Sequence, residues 1–255
     1  MRGTNQIDLT GQVAIVTGGT RGLGRHIAQA LAEAGAHVTV CGRNAPDDLP
    51  EGVTSRAADI RDPDQARELV EAVQAAHGRL DILVNNAGGS PQADAASASP
   101  RFFDAIVRLN LHSAMYMSQA AFAPMKARGA GAIVNIASVS GIRPSPMTAA
   151  YGAAKAGLLN LTQSLAQEWG PDGVRVNAII VGLMQTETSE QTYGDAEAQA
   201  AVGRSMPLGR MGTGADIAGA VLWLCSDMAA WVSGARINVD GGGERPYFLD
   251  LVKGN

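Results

Sequence analysis

Tyr151 and Lys155 are the two residues whose types and spacing first suggest a chemical reaction. They lie four positions apart in an alanine-rich stretch that contains few helix breakers. On a helix this spacing places both side chains on one face. A free tyrosine loses its proton only near pH ~10, and a nearby positive charge favours the phenolate. The pair therefore predicts a tyrosine of lowered pKa that exchanges a proton with a substrate, although such pairs also occur on ordinary solvated helix faces.

A glycine-rich segment near the N-terminus supplies the context that this pair needs. Residues 17–24 read Thr-Gly-Gly-Thr-Arg-Gly-Leu-Gly, directly after an apolar run and at the start of a helical pattern. Gly18, Gly22 and Gly24 allow the backbone to approach a pyrophosphate at the N-terminus of that helix. A glycine triplet between a strand and a helix predicts a dinucleotide site, although its spacing differs from the commoner fingerprint. A hydride carrier bound there would complement a proton donor at Tyr151.

Composition and charge restrict the class of protein and its partners. The chain has 255 residues, of which 46% are hydrophobic, and a net charge of −4. Because lysine and arginine form no cluster, we expect no nucleic-acid partner. No apolar run approaches the ~18 residues of a membrane span, and the N-terminus lacks the apolar region of an export signal, so we expect a cytoplasmic protein without a membrane partner. Cys41, Cys225 and the four histidines lack metal-ligand spacing, which favours reduced thiols and no metal.

Short apolar runs alternate with longer helical patterns along nearly the whole chain. Runs rich in valine and isoleucine, separated by helices, predict a parallel sheet that is covered on both faces. We therefore expect one doubly wound α/β domain over residues 1–255, with ligands at the carboxyl ends of the strands. Residues 89–100 and 185–203 are expected to be mobile loops. The expected strands are residues 13–16, 38–40, 53–58, 80–84, 132–136, 174–180 and 235–239, and the main expected helices are residues 61–77, 99–127, 148–169 and 216–225, besides one that ends at residue 35.

Together these features resemble the short-chain dehydrogenase/reductase family, from Leu9 to Gly242. The resemblance implies a seven-stranded Rossmann-type sheet and nicotinamide-dependent redox chemistry at a hydroxyl or carbonyl group. The motifs that carry it occur in the order of the family: the glycine loop, Asp59-Ile60, Asn85-Asn-Ala-Gly88, Asn110, Ser138, Tyr151-x-x-x-Lys155 and Asp240-Gly-Gly242.

The resemblance implies catalytic roles for four residues. Ser138 would orient and polarise the substrate oxygen, and Tyr151 would donate its proton to that oxygen or accept it in the reverse direction. Lys155 would bond the nicotinamide ribose and lower the pKa of Tyr151. Asn110 would hold a water that links Lys155 to solvent. Asparagine is otherwise unfavourable inside a helix, which makes a purely structural role for Asn110 less attractive.

The residues after the second expected strand favour NADP(H) over NAD(H). A carboxylate at this position accepts hydrogen bonds from the adenosine ribose and repels a 2′-phosphate, but this chain has Gly42 there. Arg43 follows it, and Arg21 projects from the glycine loop. Two guanidinium groups suit a phosphate dianion. The alternative is a pair of solvent-facing arginines, and Asp47 and Asp48 would weaken the preference.

Other cofactor contacts follow from the resemblance alone. Asp59 would bond the adenine amino group with Ile60 against the ring, and Gly182 and Thr186 would contact the nicotinamide carboxamide. Val181 departs from the family pattern, which has proline there, so the loop that follows is expected to start at a different angle. The contacts expected along the phosphates and the adenosine ribose are those of Thr20, Leu23, Asn86, Ala87 and Gly88.

The segment of residues 183–206 is expected to form a lid over the substrate. Methionine and leucine side chains indicate an apolar pocket that adapts its shape. No lysine or arginine lies between residues 183 and 203 to bind a carboxylate. We therefore expect a neutral or hydrophobic ketone, or its alcohol, as the substrate rather than a small keto acid. The apolar side chains expected in the pocket are Leu183, Met184, Met206 and Met147.

Two alternative functions stay open. Much of the chain is also similar to 3-oxoacyl-(acyl-carrier-protein) reductases, which need cations near the cleft to bind an acidic carrier. Arg128 could serve, but Asp172 lies where a second cation would help. A redox-silent nucleotide sensor on the same fold is the other alternative, which the presence of both Tyr151 and Lys155 disfavours.

Assembly is inferred from the resemblance alone, which implies a homotetramer. Its contacts would involve the long helix, the helix of Tyr151 and the final helix and strand. The C-terminal tail of residues 243–255 would cross a subunit boundary or cap a pocket. The apolar residues of this tail are Tyr247, Phe248 and Leu249.

Overall fold

The computed structural model describes residues 7–44, 46, 48–187, 189–246 and 251–252. The expectations for Asp47 and for Tyr247, Phe248 and Leu249 concern residues outside this description. The strands are β1 Val13–Thr17, β2 His37–Gly42, β3 Val53–Ala57, β4 Ile82–Asn85, β5 Gly131–Ile136, β6 Val174–Val181 and β7 Arg236–Val239. The helices are α1 Gly22–Glu33, α2 Pro63–His77, α3 Pro100–Val107, α4 Ser113–Arg128, α5 Ala149–Trp169, α6 Ser189–Tyr193, α7 Ala196–Ser205 and α8 Gly214–Cys225.

The seven strands form one parallel sheet in the order β3-β2-β1-β4-β5-β6-β7. In β1, Val16 aligns with Val40 of β2 on one side and with Val84 of β4 on the other. The direction of the strand order reverses between β1 and β4, and in such sheets the loops after the two strands diverge and leave a crevice. The expected seven-stranded, doubly wound α/β fold is therefore confirmed.

Helices cover both faces of the sheet, which explains why the central strands are apolar throughout. Every residue of β1 and β4 is buried. On one face α1 and α8 pack against the sheet through side chains such as Leu31 and Val221. On the other face α2, α4 and α5 contribute side chains such as Met117 and Leu165. Burial of this apolar surface, at about 25 cal/mol per Å², is the main driving force for the layered arrangement.

Capping residues explain where two of the helices begin and end. Asp62 accepts a hydrogen bond from the backbone of α2, Pro63 occupies the first helical position, and Gly78 ends the helix with φ of +72°. Thr213 and Asp216 form a reciprocal capping box at the start of α8. These signals are local, so the bounds of α2 agree with the sequence expectation.

Two segments differ from their expected structure. The long helix expected over residues 99–127 is interrupted by a π-helical turn at Arg108–His112, between α3 and α4. Residues 185–203, which were expected to be a loop, contain α6 and most of α7. The expectation for this segment was wrong because alanine and glutamate favour helix and Asp195 caps α7 by accepting a hydrogen bond from Ala198 N at 2.9 Å.

The remaining general expectations can be compared with the described part of the chain. In these residues no helix has the length and apolar character needed to cross a membrane, and no three His, Cys, Asp or Glu side chains are grouped to hold a metal. Cys41 and Cys225 are buried free thiols, and burial raises the pKa of each to about 12. Such thiols are chemically inert, in agreement with the expected reduced state.

Candidate active site

The candidate site lies at the carboxyl edge of the sheet, where the loops after β1, β4, β5 and β6 meet. The loop after β5 begins with Ser138, and α5 carries Tyr151 and Lys155 in its first turns. Gly141 brings this loop against α5, because a Cβ at this position would lie only 2.8 Å from the Lys155 carbonyl carbon. The fold therefore gathers Ser138, Tyr151 and Lys155 at one point of this edge.

Tyr151 and Lys155 lie close together on α5, as their spacing predicts. The Lys155 Nζ lies 5.5 Å from the centroid of the Tyr151 ring. Lys155 is 3% exposed, and its ammonium donates a hydrogen bond to the Ile136 carbonyl oxygen at 2.7 Å. Because Ile136 is the last residue of β5, the ammonium is held between the sheet and the helix.

Burial changes the acid–base properties of both residues from those expected. Loss of solvent lowers the pKa of Lys155 from 10.5 to about 8. Burial raises the pKa of Tyr151; a side-chain hydrogen bond with Ser138 opposes this increase, and the neighbouring Tyr193 adds to it. The expected lowering of the Tyr151 pKa is therefore wrong for the protein by itself, because desolvation of the phenolate dominates. The phenol is protonated at neutral pH and is available as a donor.

Ser138 is placed to act together with Tyr151. It follows β5 in an extended conformation and accepts a hydrogen bond from Ser140 N at 3.2 Å, which starts a short 3₁₀ turn. The Ser138 side chain also bonds the side chain of Tyr151. Ser140 instead accepts a hydrogen bond from Ser145 Oγ at 3.0 Å. Ser138 is thus the hydroxyl beside the phenol, and Ser140 supports the loop.

Asn110 lies in the π-helical turn and reaches the loop after β4. Its Nδ2 donates to the carbonyl oxygens of Gly89 and Ile106, both at 2.9 Å, and its Oδ1 accepts from Gly89 N at 2.9 Å. Gly88 separates it from Lys155: a Cβ there would lie 2.6 Å from Asn110 Oδ1 and 3.2 Å from Lys155 Nζ. Both amide hydrogens of Asn110 are therefore already donated to carbonyl oxygens. The water expected beside Asn110 would have to donate a hydrogen bond to an oxygen of this residue. The role of Asn110 in a proton path stays a prediction.

The glycine loop adopts backbone conformations that side chains disfavour. Gly18 and Gly22 have φ of +62° and +54°. A Cβ at Gly24 would overlap the carbonyl group of Gly18, so this position needs glycine for close packing. Thr20 is partly exposed in the loop, and Leu23 packs against the apolar core. The loop is thus a compact turn whose backbone is accessible to a ligand.

Asn86 and Thr17 fasten the end of β4 to the glycine loop. The Thr17 Oγ1 accepts hydrogen bonds from Asn86 N and Ala87 N, both at 3.0 Å. The Asn86 Nδ2 donates to the carbonyl oxygens of Thr17 at 2.9 Å and Gly18 at 3.2 Å. Asn86 therefore has a structural function in addition to the adenosine contact expected from the sequence, which stays a prediction together with that of Ala87.

The N-terminus of α1 holds an anionic group in this structure. Arg21 is the N-cap residue but contributes no side-chain acceptor, and the first turn contains no acidic residue. Gly22 N donates instead to the Glu187 Oε1 at 3.2 Å, although Glu187 follows β6. Backbone N–H groups at a helix N-terminus favour negative charge. A carboxylate in this position indicates that the loop and helix fit the phosphates of a dinucleotide.

The adenine end of the predicted site contains an ion pair that was not expected. The Arg61 Nε donates to the Asp59 Oδ1 at 2.8 Å. This hydrogen bond is the main cause of a lowered pKa for Asp59, to which Arg43 makes a smaller electrostatic contribution. Ile60 is buried beside the pair. The adenine contacts of Asp59 and Ile60 stay predictions, and the Asp59 carboxylate would have to serve both adenine and Arg61.

The residues expected to select NADP(H) occupy the end of β2 and the glycine loop. Gly42 ends β2, and both Arg43 and Arg21 are exposed. Asp48, which was expected to oppose them, lies 3.3 Å from the Arg25 guanidinium in an ion pair. Its negative charge is thus partly neutralised by Arg25. Arg21 and Arg43 are thus both exposed to a ligand, and the preference for NADP(H) stays a prediction.

The start of the lid follows β6 without a break. Val181, which replaces the proline of the family pattern, continues β6. Gly182 packs against the end of β7, where a Cβ would lie 2.6 Å from the Asp240 Cα. Thr186 N donates to the Ser189 Oγ at 2.6 Å, which joins the lid to α6. Gly182 and Thr186 thus lie at the expected edge of the sheet, and their nicotinamide contacts stay predictions.

Three residues near Tyr151 were not singled out from the sequence. Arg143 follows Ser138 by five residues and forms an ion pair with Glu244 at 2.5 Å. Tyr193 ends α6; burial raises its pKa, Glu244 adds to the increase and Arg143 opposes it. Arg143 could have been predicted to lie near Tyr151 from its position in the chain between Ser138 and Tyr151. Tyr193 and Glu244 are distant from Tyr151 in the chain, so the sequence contained no indication that they lie near it.

The expected apolar pocket is only partly formed by the expected residues. A cavity of about 200 Å³ lies beneath the lid, beside the end of β7. Met184 and Met206 line it and are themselves largely buried, whereas Met147 is 47% exposed in the loop before α5. Neither Ser138 nor Tyr151 lines this cavity. The other residues around it are Gly182, Leu183, Leu208, Arg210, Gly212, Asp216, Asn238, Val239, Asp240, Gly241 and Gly242.

Comparison with known proteins places this arrangement in a family. Residues 18–244 match the family model described as enoyl-(acyl carrier protein) reductase. The 2-dehydro-3-deoxy-D-gluconate 5-dehydrogenase of Escherichia coli (strain K12) is 36% identical over 242 residues, which cover 92% of this chain and 96% of the relative. The 3-oxoacyl-(acyl-carrier-protein) reductase of Chlamydia muridarum is 34% identical over 244 residues, with 92% and 98% covered. The solved RhlG/NADP active-site complex of Pseudomonas aeruginosa has a TM-score of 0.84 and 32% identity, with 93% and 98% covered.

The doubly wound sheet and the similarity to named dehydrogenases and reductases identify an oxidoreductase that acts on alcohol and carbonyl groups. The chain belongs to the short-chain dehydrogenase/reductase family. The resemblance recognised in the sequence is thereby confirmed.

Proposed function

We propose that this protein is an NADP(H)-dependent oxidoreductase that interconverts a ketone and a secondary alcohol, with Tyr151 as the proton donor and acceptor. The observation that carries the proposal is the meeting of Ser138, Tyr151 and Lys155 at the carboxyl edge of the sheet. This edge also carries the glycine loop and the anion-binding N-terminus of α1. A redox-silent sensor would not need this group of residues.

The proposed mechanism uses each of these side chains in turn. When bound, the nicotinamide nucleotide supplies hydride for reduction and accepts it for oxidation. Ser138 holds the substrate oxygen, and Tyr151, which is protonated at neutral pH, transfers its proton to that oxygen. Lys155 is buried with a pKa of about 8, so it retains a positive charge at neutral pH that stabilises the phenolate left behind. Asn110 holds the loop of Gly89 beside Lys155.

The preference for NADP(H) is supported by Gly42, Arg43 and Arg21. A bidentate arginine–phosphate contact is a charge-assisted interaction, and such hydrogen bonds contribute about 1.5–3 kcal/mol each. We therefore expect kcat/KM to be higher with NADPH than with NADH, and Arg43→Ala to reduce this ratio by about 10-fold. Arg67→Ala, an exposed arginine of α2, is the matched control. An unchanged ratio of kcat/KM with NADPH to that with NADH in Arg43→Ala would mean that other residues determine the cofactor preference.

The substrate is proposed to be a neutral ketone or its alcohol, bound under a lid of residues 183–206. Carrier-linked substrates are the second candidate, because a relative is a 3-oxoacyl-(acyl-carrier-protein) reductase. The cations near the expected carrier surface are paired with acids: Arg128 Nε lies 3.2 Å from Asp81 Oδ1, and Lys126 Nζ lies 3.2 Å from Asp172 Oδ1. This pairing disfavours an acidic carrier. Salt-sensitive binding of purified acyl carrier protein would instead support a carrier-linked substrate.

We extend the proposal to a cytoplasmic homotetramer of single-domain subunits. Apolar side chains that are exposed in the chain by itself support an assembly. Trp231 is fully exposed and Met228 is 62% exposed, both between α8 and β7. Phe122 on α4, in contrast, stacks on Trp169 with ring centroids 4.5 Å apart, so core packing accounts for it. Light scattering of the purified protein tests the proposed mass.

The central experiment is the substitution Tyr151→Phe. We expect the rate of NADPH-dependent ketone reduction to fall by about 10²–10⁴-fold, because a general acid contributes that much. NADPH binding, measured by fluorescence titration, should persist. Tyr116→Phe, which removes a phenol from α4, should leave the rate unchanged. Turnover that survives in Tyr151→Phe would show that another group supplies the proton.

A further inference from the structure

We propose that Arg143, Glu244 and Tyr193 recognise a hydroxyl group of the substrate, so that the substrate class is a neutral hydroxylated ketone or its alcohol. This inference rests on the proposed function and names the substrate of the same site. The three residues come from separate segments: the loop between β5 and α5, the end of α6, and the chain after β7. No two of them are close in the sequence, so the tertiary fold has assembled the group.

The contacts of Arg143 fix a preorganised polar group on the loop that follows Ser138. Its guanidinium donates to Glu244 Oε1 at 2.5 Å and to the Pro144 carbonyl oxygen at 3.1 Å. Its backbone N–H donates to the Val139 carbonyl oxygen at 3.1 Å, which ties the residue to the turn that follows Ser138. Because both the backbone and the side chain are held, a ligand would not have to order them.

Tyr193 connects this ion pair with the catalytic tyrosine. A hydrogen bond with the Met184 backbone holds its phenol, which lies near enough to Arg143, Glu244 and Tyr151 to interact with them electrostatically. The side chains of Arg143 and Glu244 are each 38% exposed, so the pair remains accessible. A substrate oxygen at Tyr151 therefore has a guanidinium, a carboxylate and a second phenol on one side.

The chemistry of the three groups favours a hydroxyl over other ligands. A hydroxyl both donates and accepts, and the site offers N–H donors from Arg143, an acceptor on Glu244 and a phenol that does either. The ion pair has no net charge, so it does not favour a substrate carboxylate, whose attraction to Arg143 is offset by repulsion from Glu244. An apolar group would make no hydrogen bond with these polar atoms, which would then bond only one another and the Pro144 carbonyl oxygen. The expectation of an apolar pocket therefore applies only to the methionine side beneath the lid.

The test compares hydroxylated ketones with their deoxy parents, for example erythrulose with butanone, using NADPH and the full-length protein. We expect the wild type to reduce the hydroxylated ketone with at least 10-fold higher kcat/KM. Arg143→Met and Glu244→Gln should lose this preference through a higher KM for the hydroxylated ketone, with little change for the deoxy parent. Arg67→Met, at an exposed arginine of α2, is the matched control.

The outcomes separate this inference from the proposed function. Equal or better reduction of the deoxy ketones by the wild type would overturn the inference while supporting the proposed function. An equal loss on both ketones in Arg143→Met and Glu244→Gln would also overturn it, because it would indicate a structural effect. Absence of NADPH-dependent turnover with every ketone would overturn the proposed function, and this inference with it.

A second inference follows independently from Glu187. We infer that its carboxylate competes with the cofactor phosphates for the N-terminus of α1 and must leave before the nucleotide binds. Gly22 N donates to Glu187 Oε1 at 3.2 Å, and a Cβ at Gly22 would lie 3.4 Å from Glu187 Oε2, so both carboxylate oxygens face this helix end. Glu187 directly precedes α6. Its release would therefore free the lid segment when the cofactor arrives.

Glu187→Gln tests this competition, with Glu68→Gln, at an exposed glutamate of α2, as the control. Because the neutral amide is a weaker competitor at a helix N-terminus, we expect NADPH to bind about 3- to 10-fold more tightly to Glu187→Gln by equilibrium fluorescence titration. Glu68→Gln should match the wild type. Unchanged or weaker binding in Glu187→Gln would overturn the inference. If the wild type binds neither NADPH nor NADH, this result would overturn the proposed function as well.

Discussion

Lys155 allows a quantitative prediction, because its charge is buried in the protein without cofactor. Its pKa falls from 10.5 to about 8, with burial as the cause. At about 1.4 kcal/mol per pH unit, this shift corresponds to roughly 3 kcal/mol of destabilisation at neutral pH. Lys155→Met removes the charge but also the hydrogen bond to the Ile136 carbonyl oxygen, which costs about 1 kcal/mol. We therefore expect the free energy of unfolding of Lys155→Met at pH 7 to exceed that of the wild type by about 2 kcal/mol.

The sign of the pH dependence makes this prediction specific. Between pH 8 and 10.5 the unfolded chain binds the Lys155 proton and the folded protein does not, so the stability of the wild type rises with pH across this window. Lys155→Met lacks this contribution. The advantage of the variant should therefore shrink above pH 8 and reverse, to about 1 kcal/mol in favour of the wild type, near pH 10.5.

Equilibrium urea unfolding at several pH values measures this difference. Lys126→Met, which removes a lysine that is 56% exposed, is the matched control and should show no crossover. A difference between Lys155→Met and the wild type that stays constant from neutral to alkaline pH would refute the reasoning. The variant should also lose ketone reduction, which would show that the protein trades stability for a buried catalytic charge.

Three further predictions concern single positions. Gly173→Ala should destabilise the fold by about 2–3 kcal/mol, because Gly173 has φ of +79° and an added Cβ would overlap the Gly129 carbonyl oxygen. Gly129→Ala is the control: Gly129 has φ of +69° but open space around an added Cβ, so the substitution should cost only about 1 kcal/mol. Asp216→Asn should cost about 1 kcal/mol at pH 7, because the carboxylate caps α8 and bonds Arg210. That difference should vanish at acid pH, since the Arg210 hydrogen bond lowers the Asp216 pKa below 3.8 and the stability is lost as the pH falls through the lowered value. Gly88→Ala should cut ketone reduction by more than 10-fold by displacing Asn110 and Lys155.

Thermal and urea unfolding check the first two of these predictions, and steady-state kinetics checks the third. Equal costs for Gly173→Ala and Gly129→Ala would contradict the steric argument. A loss in Asp216→Asn that does not shrink as the pH falls progressively below 3.8 would contradict the role of its charge. Normal turnover in Gly88→Ala would show that the loop after β4 does not fix the position of Lys155.

Local patterns explain why so much of the fold and site was predictable. The strands are runs of valine and isoleucine, which periodicity identifies, and α2 carries its own start and stop residues, Asp62 and Gly78. The placement of Ser138, Tyr151 and Lys155 followed from motif order. The two helices in residues 185–203 were missed because polar composition resembles a loop, whereas helix propensity and the cap at Asp195 decide the structure.

Properties of the site that depend on distant contacts could not be read from the sequence. The sequence correctly indicated that Tyr151 and Lys155 share a helix face, but the direction of the Tyr151 pKa shift was wrong. That shift depends on burial and on Tyr193, a residue of the lid. The contact of Glu187 with the N-terminus of α1 could not be predicted either, because 165 residues separate Gly22 and Glu187 in the chain.

The sequence by itself determined the parallel α/β sheet, the glycine loop and the position of Tyr151 and Lys155 on one helix face, because each depends on local periodicity or on a short motif. Only the tertiary structure decided which charges face the site and how acidic they are. The function that we propose for Arg143, Tyr193 and Glu244 requires the loop after β5, α6 and the chain after β7 to meet. Desolvation and long-range electrostatics are properties of that packed arrangement, and no short stretch of residues encodes them.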